Sequence, residues 1–128
     1  MRYRKILVAD DNESFRTGFV NYLNSQEGLK VVGEASDGYE ALTLSSRLKP
    51  DIIMMDIAMP KMDGITSARK IKRKYPDINI VIVTMYDEDA YKKLTEKLPV
   101  DGFISKATLS KDLFEVLKKI KVNRSHIN

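Results

Sequence analysis

Cysteine is absent from this chain of 128 residues, and so is tryptophan. Without cysteine no disulfide and no thiolate metal site can form. The one histidine, His126, lies in a polar stretch near the C-terminus, so no histidine metal cage or Ser-His triad can be assembled. No apolar run approaches the roughly 20 residues that span a bilayer. The basic start, Met1 to Lys5, is followed only by Ile6 to Ala9 before Asp10, too short for the apolar part of a signal peptide. A cytoplasmic protein with no membrane contact is the expectation. Charge of a single sign is lacking too: 22 Lys+Arg stand against 18 Asp+Glu, a net charge of +4. The basic residues are spread along predicted helices, which favours solvated faces over a nucleic-acid-binding arm.

The chain is long enough for one domain with a sizeable core. Its hydrophobic share of 43% and charged share of 31% suit a globule. The most informative stretch is Ile52-Ile53-Met54-Met55-Asp56. Four apolar residues beside turn signals read as a strand buried on both faces. Pro60 and Asp63-Gly64 follow, so the chain turns there.

Similar units recur on both sides. Lys5 to Ala9 reads as a buried strand ending in Asp10-Asp11-Asn12, residue types that cap helices. Phe15, Phe19, Val20 and Leu23 then stand at helical spacing. Leu29 to Ala35 is a second strand, interrupted by Gly33, and Asp37 with Glu40 three residues later reads as a capping box. The next helix carries Ala41, Leu44, Ser45 and Leu48 on its apolar face and breaks at Lys49-Pro50. A third helix is predicted from about Gly64 to Lys74 with Ile65, Ala68 and Ile71 inward. A strand follows over Asn79 to Thr84, and a fourth helix with a thin apolar face from about Asp87 to Leu98. A short fifth strand, Phe103 to Ser105, runs into Lys106. The last helix covers about Ser110 to Lys121, and a polar tail follows.

This is βα five times. It predicts a parallel sheet covered by helices on both faces, in the flavodoxin-like order 2-1-3-4-5. Strand 2, with the weakest apolar signal, belongs at an edge. The carboxyl ends of parallel strands converge on one crevice. Strand 1 would bring Asp10 and Asp11, strand 3 Asp56, strand 4 Thr84 and strand 5 Lys106. Each has an ordinary explanation alone, as a cap or a surface charge. Together they make three carboxylates, a hydroxyl and an ammonium. Clustered carboxylates repel, and a hard cation such as Mg²⁺ relieves them. The hydroxyl and ammonium suit the oxygens of a phosphoryl group, and an aspartate can accept one covalently.

At these residues the chain resembles the receiver domain of two-component response regulators. The resemblance rests on Asp10-Asp11 after KILVA, on MDIAMPKMDG from Met55 to Gly64, on Val83-Thr84, and on DGFISK from Asp101 to Lys106. It covers about residues 4 to 121. VTMYDEDAY and the lack of proline after Lys106 look most like the NarL/FixJ (LuxR-type) subfamily. The resemblance implies Asp56 as phosphoacceptor for a sensor histidine kinase. It implies Mg²⁺ held by Asp11 and Asp56, by Asp10 through water and by the backbone carbonyl of Ala58. It implies Thr84 and Lys106 on the phosphoryl oxygens, and Phe103 as a switch aromatic that turns inward behind Thr84. Such a domain is a signalling switch, not a turnover enzyme. Ala58 and Tyr86 stand where the family tunes phosphoryl lifetime; neither has a carboxylate or amide, so slow hydrolysis is expected. Leu98-Pro99-Val100 and Ala107 depart from common family choices of Gly-Ala and proline.

Residues 1–121 would form the receiver, and 122–128 a tail or the start of a linker to an output domain that alone would touch DNA. A stand-alone receiver is the alternative, and homodimerisation on phosphorylation is expected. A haloacid-dehalogenase-like phosphohydrolase shares the aspartate, Mg²⁺, Thr and Lys, but places its nucleophile after strand 1 in an Asp-x-Asp pattern. A flavodoxin-like flavin binder would want a hydroxyl-rich phosphate loop where Asp10-Asp11 stand.

Overall fold

A computed structural model describes residues 3–86 and 96–120. Five strands are present: β1 (Arg4–Ala9), β2 (Leu29–Ala35), β3 (Ile52–Met55), β4 (Asn79–Thr84) and β5 (Gly102–Ser105). Between them lie α1 (Glu13–Asn24), α2 (Gly38–Leu48) and α3 (Gly64–Lys74). A 3-10 turn, Lys106–Thr108, leads from β5 into a C-terminal helix, Leu109–Lys119. All strands are parallel and run β2-β1-β3-β4-β5. This is the flavodoxin-like order predicted from the sequence, with β2 at one edge.

The two-residue alternation of strands builds two cores. Ile6, Val8, Ile52, Met54, Val81, Val83 and Ile104 face one side, where α1 (Phe19, Leu23) and the C-terminal helix (Leu113, Leu117) cover them. Leu7, Ala9, Ile53, Met55, Ile80 and Ile82 face the other, under Ala41 of α2 and Ala68 and Ile71 of α3. Every residue of β3 and β4 is buried, which is why Ile52 to Met55 and Ile80 to Val83 read as unbroken apolar runs. The irregularity of β2 is a register shift: Ile6 pairs with Val31 and Leu7 with Gly33, so Val32 is left over.

Each helix after β1, β2 and β3 starts on an Asn or Asp. Asn12 accepts from the Phe15 N–H, Asp37 from Glu40 and Asp63 from Thr66, at 2.8 to 3.0 Å. The predicted capping box at Asp37 differs in its return bond. The Glu40 carboxylate accepts from the Ser36 N–H at 2.8 Å, one residue before the cap. On α3 the buried positions are Gly64, Ser67, Ala68 and Ile71, with Ile65 only half-buried. The C-terminal helix begins at Leu109, one residue before the predicted start. Of the predicted fourth helix, residues 87–95 lie outside the described residues, as does the tail from Lys121 on. No helix among the described residues is long and apolar enough to cross a membrane.

Candidate functional site

The site forms just past the carboxyl ends of β1, β3, β4 and β5. The Asp10 N–H donates to the Ala35 carbonyl and the Asp56 N–H to the Ala9 carbonyl, both at 2.9 Å. Each ladder thus continues one residue beyond its strand and fixes an aspartate at the sheet's rim. Asp10 is 2% exposed and Asp56 7%. Asp11 is exposed and turns to the same cavity. Carboxylate oxygens of Asp10, Asp11 and Asp56 all lie within 4.8 Å of one another.

Lys106 answers this charge. Its Nζ is 2.7 Å from Asp10 Oδ2 and 3.2 Å from Asp56 Oδ2. The other oxygens are held by backbone: Asp10 Oδ1 accepts from the Asn12 N–H at 2.9 Å, and Asp56 Oδ1 from the Ile57 N–H at 2.8 Å. Burial pushes the Asp56 carboxyl above its ordinary value, the Lys106 charge opposes this, and the neighbouring Asp10 adds to the rise. Burial alone would lower Lys106; its hydrogen bond to Asp10 and the charge of Asp56 outweigh that and hold it raised.

Thr84 closes the end of β4. It is fully buried, opposite Ser105 in the ladder, and its Oγ1 accepts from the Tyr86 N–H at 3.4 Å. Asp11, Asn12, Asp56, Ala58, Thr84 and Lys106 line one open cavity of about 550 Å³, rimmed by Met85 and Tyr86. Six of the seven sequence-predicted site residues therefore meet: Asp10, Asp11, Asp56, Ala58, Thr84 and Lys106. Phe103, the seventh, does not line the cavity. It pairs with Ile82, two residues back from Ser105 along β5, and packs half-buried against the core on the α2 and α3 side.

The loop from β3 to α3 is tied down tightly. The Gly64 N–H donates to the Ile57 carbonyl at 2.9 Å, and a Cβ at Gly64 would lie 1.9 Å from the Asp56 carbonyl oxygen. The Gly38 N–H donates to the Met62 carbonyl at 2.9 Å, and Ser67 Oγ to the Gly38 carbonyl at 2.8 Å. Lys61, in the left-handed region at φ 67°, makes the turn. None of these supports was read from the sequence. Nor was Phe15, taken as a core position by its spacing: Lys106 Nζ lies 4.1 Å from its ring centroid.

The donor set fits Mg²⁺. It is all oxygen, hard and anionic, and three carboxylates against one ammonium leave a net charge of −2 when all are ionised.

The chain is 38% identical over 117 residues to the response regulator protein VraR of Staphylococcus epidermidis, covering 90% of this chain and 55% of VraR. It is 34% identical over 124 residues to the response regulator GacA of Pseudomonas aeruginosa, covering 97% of this chain and 58% of GacA. The chain thus spans a little over half the length of these curated relatives. Among solved structures, RcsB of Salmonella enterica serovar Typhimurium, bound to the promoter rprA with a phosphomimetic, superposes with a TM-score of 0.82 at 26% identity. That match covers 98% of this chain and 72% of RcsB. The family model for the response regulator receiver domain matches residues 6–118, and the chain belongs to that family.

Proposed function

We propose that this domain is a phosphorylation-activated switch whose acceptor is Asp56. The observation that carries this reading is the Lys106 ammonium held between Asp10 and Asp56 at the rim of a buried parallel sheet, with Thr84 across the same cavity. Asp56 is the buried carboxylate at the end of the central strand, and its Oδ2 faces the ammonium. In the transfer, that carboxylate oxygen forms a bond to phosphorus. The bond from phosphorus to the donor breaks, and the donor leaves with the electron pair. Lys106 and the Thr84 hydroxyl then neutralise and bind the phosphoryl oxygens. Positioning and charge neutralisation are the main demands of such a transfer.

Asp10, Asp11, Asp56 and the carbonyl of Ala58 would hold Mg²⁺, with Asp10 acting through water. The bound ion would supply charge neutralisation between the carboxylates and the incoming phosphoryl oxygens. Thr84, drawn toward the phosphoryl group, vacates space beside β5, and Phe103 is the ring that fills it. Ligand-dependent bias of a two-state element is the physical content of such a switch.

A sensor histidine kinase is the proposed donor and the cytoplasm the proposed location. The domain is no turnover enzyme, as its product is its own modified side chain. Residues 1–121 are the proposed receiver, and 122–128 begin a linker in a longer transcriptional regulator. The RcsB complex with promoter DNA and the partial coverage of VraR and GacA support that reading. DNA would be met only by the output domain, and phosphorylation would drive homodimerisation. Intact-mass spectrometry after incubation with acetyl phosphate tests the core of the proposal. The expected result is a Mg²⁺-dependent gain of one phosphoryl group, absent in Asp56→Asn. No gain, or steady turnover of phosphate esters, would overturn it.

A further inference from the structure

We infer that Phe15 is a positioning residue of the phosphoryl-transfer site, holding the Lys106 ammonium through the face of its ring. The inference rests on the reading of Asp56 as acceptor and extends it to a residue on α1.

The ammonium of a lysine has three N–H donors. Asp10 Oδ2 takes one direction at 2.7 Å and Asp56 Oδ2 another at 3.2 Å. The Phe15 ring stands on a further side, its centroid 4.1 Å from Nζ. That is well within the roughly 6 Å over which a cation is drawn to an aromatic face. The lysine side chain is only 11% exposed, so the ring replaces water there. The attraction is at its strongest when the cation is desolvated in this way.

The ring is itself held in place. Phe15 belongs to the first turn of α1, and its N–H donates to the cap residue Asn12 at 3.0 Å. Asn12 in turn donates its own N–H to Asp10 Oδ1 at 2.9 Å. Behind the ring lies Phe19, 3% exposed, with ring centroids 5.4 Å apart. The segment Asp10 to Phe15 therefore presents two partners to one ammonium, a carboxylate and a π face, on a single capped turn.

This arrangement has a use during the transfer. When Asp56 bonds to phosphorus, Lys106 must exchange a carboxylate oxygen for a phosphoryl oxygen. Asp10 and the Phe15 ring keep the ammonium at the cavity while that exchange occurs. A leucine at position 15 would fill the same core space but offer no face to the cation.

The test separates shape from ring electronics. Position 15 is filled with 4-fluoro-, 3,5-difluoro- and 3,4,5-trifluorophenylalanine, which keep the ring's packing and drain charge from its face. Phosphorylation of the full chain by acetyl phosphate at fixed Mg²⁺ is followed by intact mass. The rate is expected to fall stepwise, by about fivefold at the trifluoro ring, and to show no such trend in a Lys106→Ala background. A flat series in a chain that takes up phosphate, or the same trend without Lys106, overturns the inference. Proton NMR supplies a second readout. The Lys106 ε-methylene signal should lie upfield in the native chain and return to its ordinary position in Phe15→Leu. A signal that Phe15→Leu does not move overturns the inference. If no chain takes up phosphate, the acceptor reading fails, and the NMR result still decides whether the ring holds the lysine.

Discussion

Gly64 stands against Asp56 so closely that a single added methyl carbon would lie 1.9 Å from the Asp56 carbonyl oxygen. The neighbour in the way is backbone, fixed at the end of β3, and cannot swing aside. Gly64→Ala is therefore expected to cost about 3 kcal/mol, the upper end of the overpacking range. The same displacement moves the acceptor, so the urea midpoint and the rate of phosphorylation should fall together. A variant of native stability would show that the loop yields more easily than this contact implies.

Asp56→Asn should make the fold more stable when Mg²⁺ is chelated. Burial raises the carboxyl of Asp56, with Lys106 opposing and Asp10 adding. A raised folded-state value means that the ionised form weakens the fold relative to the unfolded chain. The stabilising influence of the protonated form is complete below the ordinary value of 3.8 and is lost as pH rises through the folded-state value. At neutral pH the asparagine variant escapes the cost of a buried ionised group, a gain of roughly 1 kcal/mol. The gap between native and variant should close in acid. Added Mg²⁺ should raise the melting temperature of the native chain more than that of the variant. Equal melting curves at neutral pH in chelator would count against this account.

Asp63 works in the opposite sense. Its slight burial raises the carboxyl, but the Thr66 N–H at 2.8 Å and the Thr66 hydroxyl at 2.9 Å outweigh this and lower it. Its contribution is present above the ordinary carboxylate range and fades as pH falls through the depressed folded-state value. Asp63→Ala should lose about 1 kcal/mol at neutral pH through the missing helix cap. Asp63→Asn should keep most of that cap while flattening the acid limb of the stability curve. Chemical denaturation between neutral and acid pH distinguishes the two variants.

Once formed, the phosphoryl group should leave slowly. Ala58 and Tyr86 border the cavity, and neither carries a carboxylate or amide to aim a water at phosphorus. Ala58→Asn is expected to shorten the lifetime severalfold without changing the site of modification. The decay of the phosphorylated mass after removal of the donor measures it.

Much of this was legible because doubly buried strands advertise themselves. Ile52 to Met55 and Ile80 to Val83 are apolar without interruption because helices cover both faces. Asn12 and Asp37 announced helix starts through side chains that accept backbone N–H groups close in sequence, whereas Asp63, read only as part of a turn, caps α3 in the same way. Once the sheet order was read, convergence of Asp10, Asp56 and Lys106 followed from parallel topology. What stayed hidden depends on distant approach. Phe15 and Lys106 meet across 91 positions, and Phe15 satisfies the helical spacing of a core residue equally well. Ser67 was not among the inward positions read for α3, yet it is buried with its hydroxyl on the Gly38 carbonyl. Gly64 was visible as a turn residue but not as a point of contact with the acceptor's own backbone.

The ladder places Thr84 opposite Ser105, and Lys106 is the next residue along. A group that grips both Thr84 and Lys106 therefore pulls on the tips of two adjacent strands. One of them, β5, is hydrogen-bonded along a single side, as the last strand in the sheet order. A load at that tip is borne by one seam, whereas a load on β3 is shared by two. The sheet is stiff in its middle and compliant at this margin. Mechanical displacement from the cavity is thus channelled toward the β5 flank and away from β2.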